Sequence, residues 1–301
     1  MDQFFQQLTN GLAVGGIYAL IALGYTMVYG VLKLINFAHG EIFTIGAYLG
    51  LSMLSSFALM DHIGAFTGVL ILSLMVMGLV GLVGILLDQA AYKPLREAPR
   101  LSAVVSALGA SIFFQNALML IYGARFLVYP QDILPRSAVS IFGTHIPLMR
   151  ILIFVASFLL MAALFLFIHK TRIGTAIRAS AIDQGAARLM GINVNRVVMI
   201  VFFVGAALGG VAGLMVGLYY GQINFTMGWI YGLKAFTAAI LGGIGNIPGA
   251  MIGGLLLGVM EAMGSAYISI AWKDAIVFFV LILILIIRPT GLLGERVAEK
   301  I

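Results

Sequence analysis

The segment VVMIVFFVGAALGGVAGLMVGLYYG, residues 197–221, decides the fold class. It carries no charged side chain, and it exceeds the roughly 20 apolar residues an α-helix needs to cross the hydrocarbon of a bilayer. Gly205, Gly209, Gly213, Gly217 and Gly221 recur at every fourth position, which puts them on one face of a helix. In lipid the hydrophobic effect does not press helices together. Small residues at this spacing do so instead, by letting backbones approach to van der Waals contact. The segment is expected to be a central helix with these five glycines as its packing face. Gly245, Gly249 and Gly253 repeat the pattern more weakly, as do Gly78, Gly81 and Gly84 at spacing three.

Further apolar runs flank it at 8–32, 41–60, 65–87, 101–122, 150–169, 231–244, 248–264 and 274–288. Of the 301 residues, 62% are hydrophobic and 9% charged, against about 45–50% and 25% in a soluble domain. A soluble enzyme is excluded, and the expected fold is all-α: a single polytopic membrane domain over 1–301, surrounded by the lipid bilayer. The run 231–244 is short and Gly-rich at its end, so it is either a span or half of a re-entrant hairpin with 248–264. The count is eight to nine spans. Met1-Asp2-Gln3-Phe4 brings no basic residue before Lys33 and no small-residue cleavage site, so the first span is expected to be retained.

Orientation follows from basic residues, which collect on cytoplasmic loops. Lys93, Arg96 and Arg100 lie between the third and fourth runs, and Lys170, Arg172, Arg178, Arg188 and Arg196 between the fifth and sixth. Arg288, Arg296 and Lys300 put the C-terminus on the same side, while the 123–149 loop has only Arg125 and Arg136 beside Asp132. The N-terminus is therefore expected outside and the C-terminus in the cytoplasm, with Lys33 inside. This topology accounts for the net charge of +6 without a nucleic-acid partner.

Little points to chemistry within the chain. There is no cysteine, and the histidines, His39, His62, His145 and His169, are scattered, so no metal site is expected. The run Gly242-Gly243-Ile244-Gly245-Asn246-Ile247-Pro248-Gly249 lacks the Lys and the preceding strand of a P-loop. Neither a nucleophile elbow nor an H-E-x-x-H pattern occurs. Catalysis and a bound cofactor are not expected.

The loop from Arg172 to Arg196 contains a helix signal of its own. Ser180 and Asp183 read as a variant capping box, and Gly191 as the left-handed residue that ends the helix. Between them Ile182, Ala186, Leu189 and Met190 form one apolar stripe. Such a helix either docks in a groove of a cytoplasmic protein or rests on lipid headgroups.

Gly185-Ala186-Ala187-Arg188-Leu189-Met190-Gly191 resembles the E-A-A-x-x-x-G coupling motif of ABC importer permeases, with Gly185 in place of the Glu. It is joined by Gly24-Tyr25-Thr26-Met27-Val28-Tyr29-Gly30, Ile35-Asn36-Phe37-Ala38-His39-Gly40-Glu41, the stretch Lys234 to Gly245, and Arg288-Pro289-Thr290-Gly291. Together these resemble the LivH-type permeases of branched-chain amino acid ABC transporters over nearly the whole chain. The resemblance implies a bacterial-type plasma (inner) membrane location. It also implies a LivM-type second permease, two cytoplasmic ATP-binding subunits that hold the ATP, and a periplasmic or lipid-anchored amino-acid-binding protein. The coupling helix is then residues 180–191, with Ser180, Ile182, Asp183, Ala186, Ala187, Leu189, Met190 and Gly191 as its functional positions.

Ionisable groups at membrane depth cost about 2.5–3.5 kcal/mol each at a helix centre and need a reason to be there. Glu41, Lys234 and Glu261 qualify. Glu41 follows a small, polar stretch and reads either as part of a gate or as a helix-capping carboxylate. Lys234 and Glu261 lie in the last Gly-rich hairpin and either pair to neutralise each other or stand apart. The segment 242–249 is either a broken helix lining a path or a tight turn. Candidate path residues are Tyr25, Asn36, His39, Glu41, Thr237, Asn246 and Glu261. Related permeases for urea, amides or sugars are an alternative. A stand-alone secondary transporter, with Glu261 as its coupling-ion site, is a more distant one.

Overall fold

A computed structural model describes residues 2–56, 65–130, 138–141 and 144–294. Every apolar run of the sequence becomes a helix: α1 (Asp2–Leu32), α2 (His39–Ser56), α3 (Ala65–Leu87), α4 (Arg100–Tyr122), α5 (Leu148–Lys170), then, after two short helices α6 (Arg172–Ile182) and α7 (Gln184–Leu189), α8 (Val194–Tyr220), α9 (Met227–Gly242), α10 (Ile247–Tyr267) and α11 (Lys273–Ile287). Among the described residues, seven helices are long and apolar enough to cross a membrane. The 18-residue α2, 16-residue α9 and 15-residue α11 are the short ones, α11 reaching span length only with the turn 270–272 before it. His62, Asp132, Arg136, Arg296, Lys300 and the end of the 41–60 run lie outside the described residues.

The 123–149 loop and its neighbour carry strands that the all-α expectation lacked. β1 (Leu127–Val128) pairs antiparallel with β4 (Gln222–Ile223), and β2 (Ala138–Ile141) pairs with β3 (Thr144–Pro147). After β1 comes Tyr129, fully buried, its hydroxyl donating to the Ala47 carbonyl and its ring filling the space over Gly217. Burial holds this phenol above its ordinary pKa.

Helices α1 and α8 form the enclosed centre. A Cβ on Gly213 would stand 2.0 Å from the Phe43 carbonyl of α2, and one on Gly205 3.3 Å from Gly24 of α1. Gly209 faces the His39 ring, so four of the five expected glycines pack as read. Gly221 does not. It adopts φ +71 and terminates α8, its amide donating to the Gly217 carbonyl, a left-handed cap that glycine reaches without a Cβ penalty. The sequence reading passed over Gly210, whose backbone lies against Gly46 of α2. On the other side α1 and α10 close through Gly15 with Gly258 and Ala19 with Gly254.

The periphery is apolar and open. Leu74, Leu82 and Leu86 of α3, Ile112 and Phe113 of α4, Phe158 and Leu159 of α5, and Ile286 and Ile287 of α11 are exposed. Apolar surface on this scale fits hydrocarbon rather than water.

Candidate functional site

Three polar assemblies stand out of this apolar frame. The first is the pair α6–α7. Thr171 caps α6, its hydroxyl oxygen accepting from the Gly174 amide at 3.0 Å, and Arg178 donates to the Ile168 carbonyl at the end of α5. Helix α6 therefore already runs through Ser180, which is buried in its last turn. The expected single helix from Ser180 is corrected here. The chain turns extended at Asp183, whose carboxylate accepts from the Ala186 amide at 3.0 Å and starts α7. Gly191 at φ +80 closes α7, with Gly191 N–H on the Arg188 carbonyl and Ile192 N–H on that of Ala187, both bonds of a Schellman cap.

The apolar stripe is thus split between two helices, yet its side chains stay outward. Ile182, Leu189 and Met190 are 87%, 90% and 82% exposed, and Ala186 is exposed beside them, while Ala187 turns inward. The sequence reading missed the anchor: Gln184 Nε2 donates to the Val31 carbonyl at 2.7 Å, fixing α7 to the end of α1.

The second assembly is the break between α1 and α2. Lys33 ends α1 at φ +54, and the Asn36 side-chain oxygen accepts from the Ala38 amide at 3.1 Å and from the Tyr92 hydroxyl at 2.9 Å. Helix α2 then opens with His39 between Gly24 of α1 and Gly209, well inside the length of α8. Tyr25 and His39 meet edge to face at 4.8 Å. The structure thus brings four candidates, Tyr25, Asn36, His39 and Glu41, into one region. Among their buried atoms, Asn36 Nδ2 and His39 Nε2 have no hydrogen-bond partner, and Glu41 has the Thr44 hydroxyl beside it.

A pocket opens here, with Tyr25, Phe37, Gly40 and Glu41 on one side and Trp229, Leu233 and Phe236 of α9 on the other. Gly228 and Gly232 let α9 come this close: a Cβ on Gly228 would stand 2.7 Å from Glu41 Oε2, and one on Gly232 2.9 Å from the Gly40 Cα. Their four-residue spacing was a signal in the sequence that went unused.

The third assembly joins α1, α9, α10 and α11. Lys234 Nζ stands 2.7 Å from Glu261 and 2.6 Å from Asp274, and the Tyr18 hydroxyl donates to Glu261 at 2.7 Å. Of the two alternatives the structure has the pair, enlarged by Asp274 and Tyr18. Asn246, by contrast, is a structural residue. It caps α10 by accepting from the Gly249 amide at 2.8 Å and donates to the Leu293 carbonyl at 2.9 Å. That tail residue belongs to a return of the chain onto α9, with Leu292 N–H on the Leu241 carbonyl and Leu293 N–H on that of Gly242. Thr237 is buried with its hydroxyl on the Leu233 carbonyl. Neither Thr237, Asn246 nor Glu261 lines the Glu41 pocket. Among the described residues no cluster of His, Asp and Glu could hold a metal ion.

Residues 7–285 match the family described as "Branched-chain amino acid transport system / permease component". The chain is 45% identical to the high-affinity branched-chain amino acid transport system permease protein LivH of Escherichia coli K12, over 99% of this chain and 98% of that one. It is 46% identical to BraD, the permease protein of the same name from Pseudomonas aeruginosa, with the same coverage. A probable LivH of Methanocaldococcus jannaschii is 28% identical over 95% of this chain and 91% of its own. No solved structure matches.

Proposed function

Because the chain belongs to the family of branched-chain amino acid transport permease components, we propose that it is a membrane-spanning permease subunit of an ABC importer, moving branched-chain amino acids into the cytoplasm. In this reading it pairs with a second, LivM-type permease, and two cytoplasmic ATP-binding subunits carry the ATP. A binding protein outside the membrane delivers the amino acid. The chain lies in the bacterial inner membrane with its N-terminus outside and its C-terminus inside. All nine apolar helices, α2 and α9 included, then take part in the span, and α6–α7 face the cytoplasm.

The observation that carries the reading is the outward apolar cluster Ile182, Leu189 and Met190 on an element held rigidly from behind. Exposed side chains of this kind at the water face need a partner. The caps at Thr171, Asp183 and Gly191 fix the shape of the element, and Gln184 ties it to α1, a central helix of the bundle. Movement of a docked ATPase is thereby delivered to the end of α1 rather than absorbed in a loose loop.

Leu189→Asp puts a charge in the docked contact without touching the bundle. The expected outcome is normal membrane level of the chain, with ATP hydrolysis by the purified complex no longer stimulated by leucine-loaded binding protein and uptake lost. Full uptake in this variant removes the docking role. Glu261, the coupling-ion candidate of a stand-alone transporter, is already engaged by Lys234 and Tyr18, so no observation favours that alternative.

A further inference from the structure

The two membrane-depth glutamates of this chain have opposite surroundings. Glu261 has Lys234 at 2.7 Å and the Tyr18 hydroxyl at 2.7 Å. Glu41 is just as buried, yet its side-chain partner is the neutral Thr44 hydroxyl of its own helix, and no Lys, Arg or His lines the pocket it borders. A buried carboxylate with no cation beside it is costly. Among the described residues no cationic side chain reaches this pocket.

The remaining walls say what kind of cation fits. Phe37, Trp229, Leu233 and Phe236 are apolar, and the pocket opens where Trp229 and Leu233 are exposed on α9. A ligand with a cationic head and an aliphatic body satisfies both the carboxylate and the walls, whereas a hydrated metal ion satisfies only the first. The lining offers no positive side chain to a ligand carboxylate, so that end would point to the opening.

We propose that this pocket is a subsite for the transported amino acid, with Glu41 binding its α-ammonium group and Phe37, Leu233 and Phe236 receiving its side chain. The proposal rests on the importer reading above and deepens it. Glu41 then serves as a binding residue, and Gly228 and Gly232 serve to bring the α9 wall against it.

The absence of cysteine makes the test direct, since Leu233→Cys gives this chain a single thiol at the pocket mouth. In the assembled complex, alkylation of that thiol by N-ethylmaleimide is followed by the mass of this chain. It is measured alone and with saturating leucine, 3-methylbutan-1-amine (ammonium, no carboxylate) or 4-methylpentanoic acid (carboxylate, no ammonium). The first two are expected to slow alkylation by about tenfold, as when about one site in ten is left free, and the acid to leave it unchanged. Glu41→Gln should abolish the protection and Glu41→Asp restore part of it.

Equal protection by the acid, or protection by leucine that survives Glu41→Gln, overturns the proposal. If Glu41→Gln fails to assemble, Glu41→Asp takes its place: protection weaker than in the parent supports the proposal, and undiminished protection overturns it. ATP-driven leucine uptake by the unmodified complex separates the two readings. Without it the importer assignment itself fails, and with it only the subsite stands or falls.

Discussion

Lys234 sits between two acids that differ in exposure: the Glu261 side chain is 10% exposed and that of Asp274 47%. Removing one member of a buried pair leaves an uncompensated charge and costs about 3–5 kcal/mol, whereas a pair open to water is worth about 1 kcal/mol or less. Lys234→Gln is therefore expected to lower the thermal stability of the purified chain far more than Asp274→Asn. Equal shifts in a detergent melting series would show that the network is not organised around Glu261. The Lys234–Glu261 pair was legible in the sequence because both charges interrupt apolar runs. Asp274 was not, since beside Lys273 it looks like an ordinary charge at a helix start. Tyr18 gave no signal, because a tyrosine in an apolar helix is unremarkable until its hydroxyl is seen to reach a carboxylate. For the same reason Glu41 could be read only as gate or cap, the difference lying in whether α9 packs over it.

At the scale of elements the glycines divide by what lies opposite them. A Cβ on Gly213 meets the Phe43 carbonyl at 2.0 Å, while one on Gly78 meets nothing within 4 Å. Gly213→Ala is expected to cost about 1–3 kcal/mol or more, as overpacking does, and Gly78→Ala to gain up to about 1 kcal/mol from helix propensity. Unfolding of the two variants side by side checks this, and a tolerated Gly213→Ala would mean that α2 and α8 are not in contact there. The four-residue spacing made this face readable, but spacing alone does not tell a packing glycine from a terminating one, and so Gly221 was misassigned. The helix start was misplaced at Ser180 for a related reason. Thr171 is an equally good cap, and only the buried seat of Gly174 under the Ile168 carbonyl decides between them. The exposed run Ile182, Leu189, Met190 was legible because an apolar stripe in a basic loop has few other uses.

For the whole molecule, composition and run length sufficed to identify the helices and their order. What they left open is depth: nothing in 33–41 announces that α2 begins beside the middle of α8, because that depends on Gly24 and Gly209 making room for His39. The open apolar belt is itself testable. Phe113 lies midway along α4 and Leu101 at its start, both exposed. A lysine at the bilayer centre costs about 2.5–3.5 kcal/mol on the insertion scale, whereas near an interface it can extend its charge into water. Phe113→Lys should thus reduce the amount of chain recovered in membranes well below that of Leu101→Lys. If both accumulate equally, α4 is not lipid-facing at its centre.

The return of residues 291–293 onto the end of α9 has a bearing on biogenesis. Synthesis runs from the N-terminus, so every helix has been made before Leu292 and Leu293 can close the Leu241 and Gly242 carbonyls and Asn246 can grip the tail. A nascent chain interrupted before that point holds its full set of apolar segments but leaves the turn between α9 and α10 unsealed.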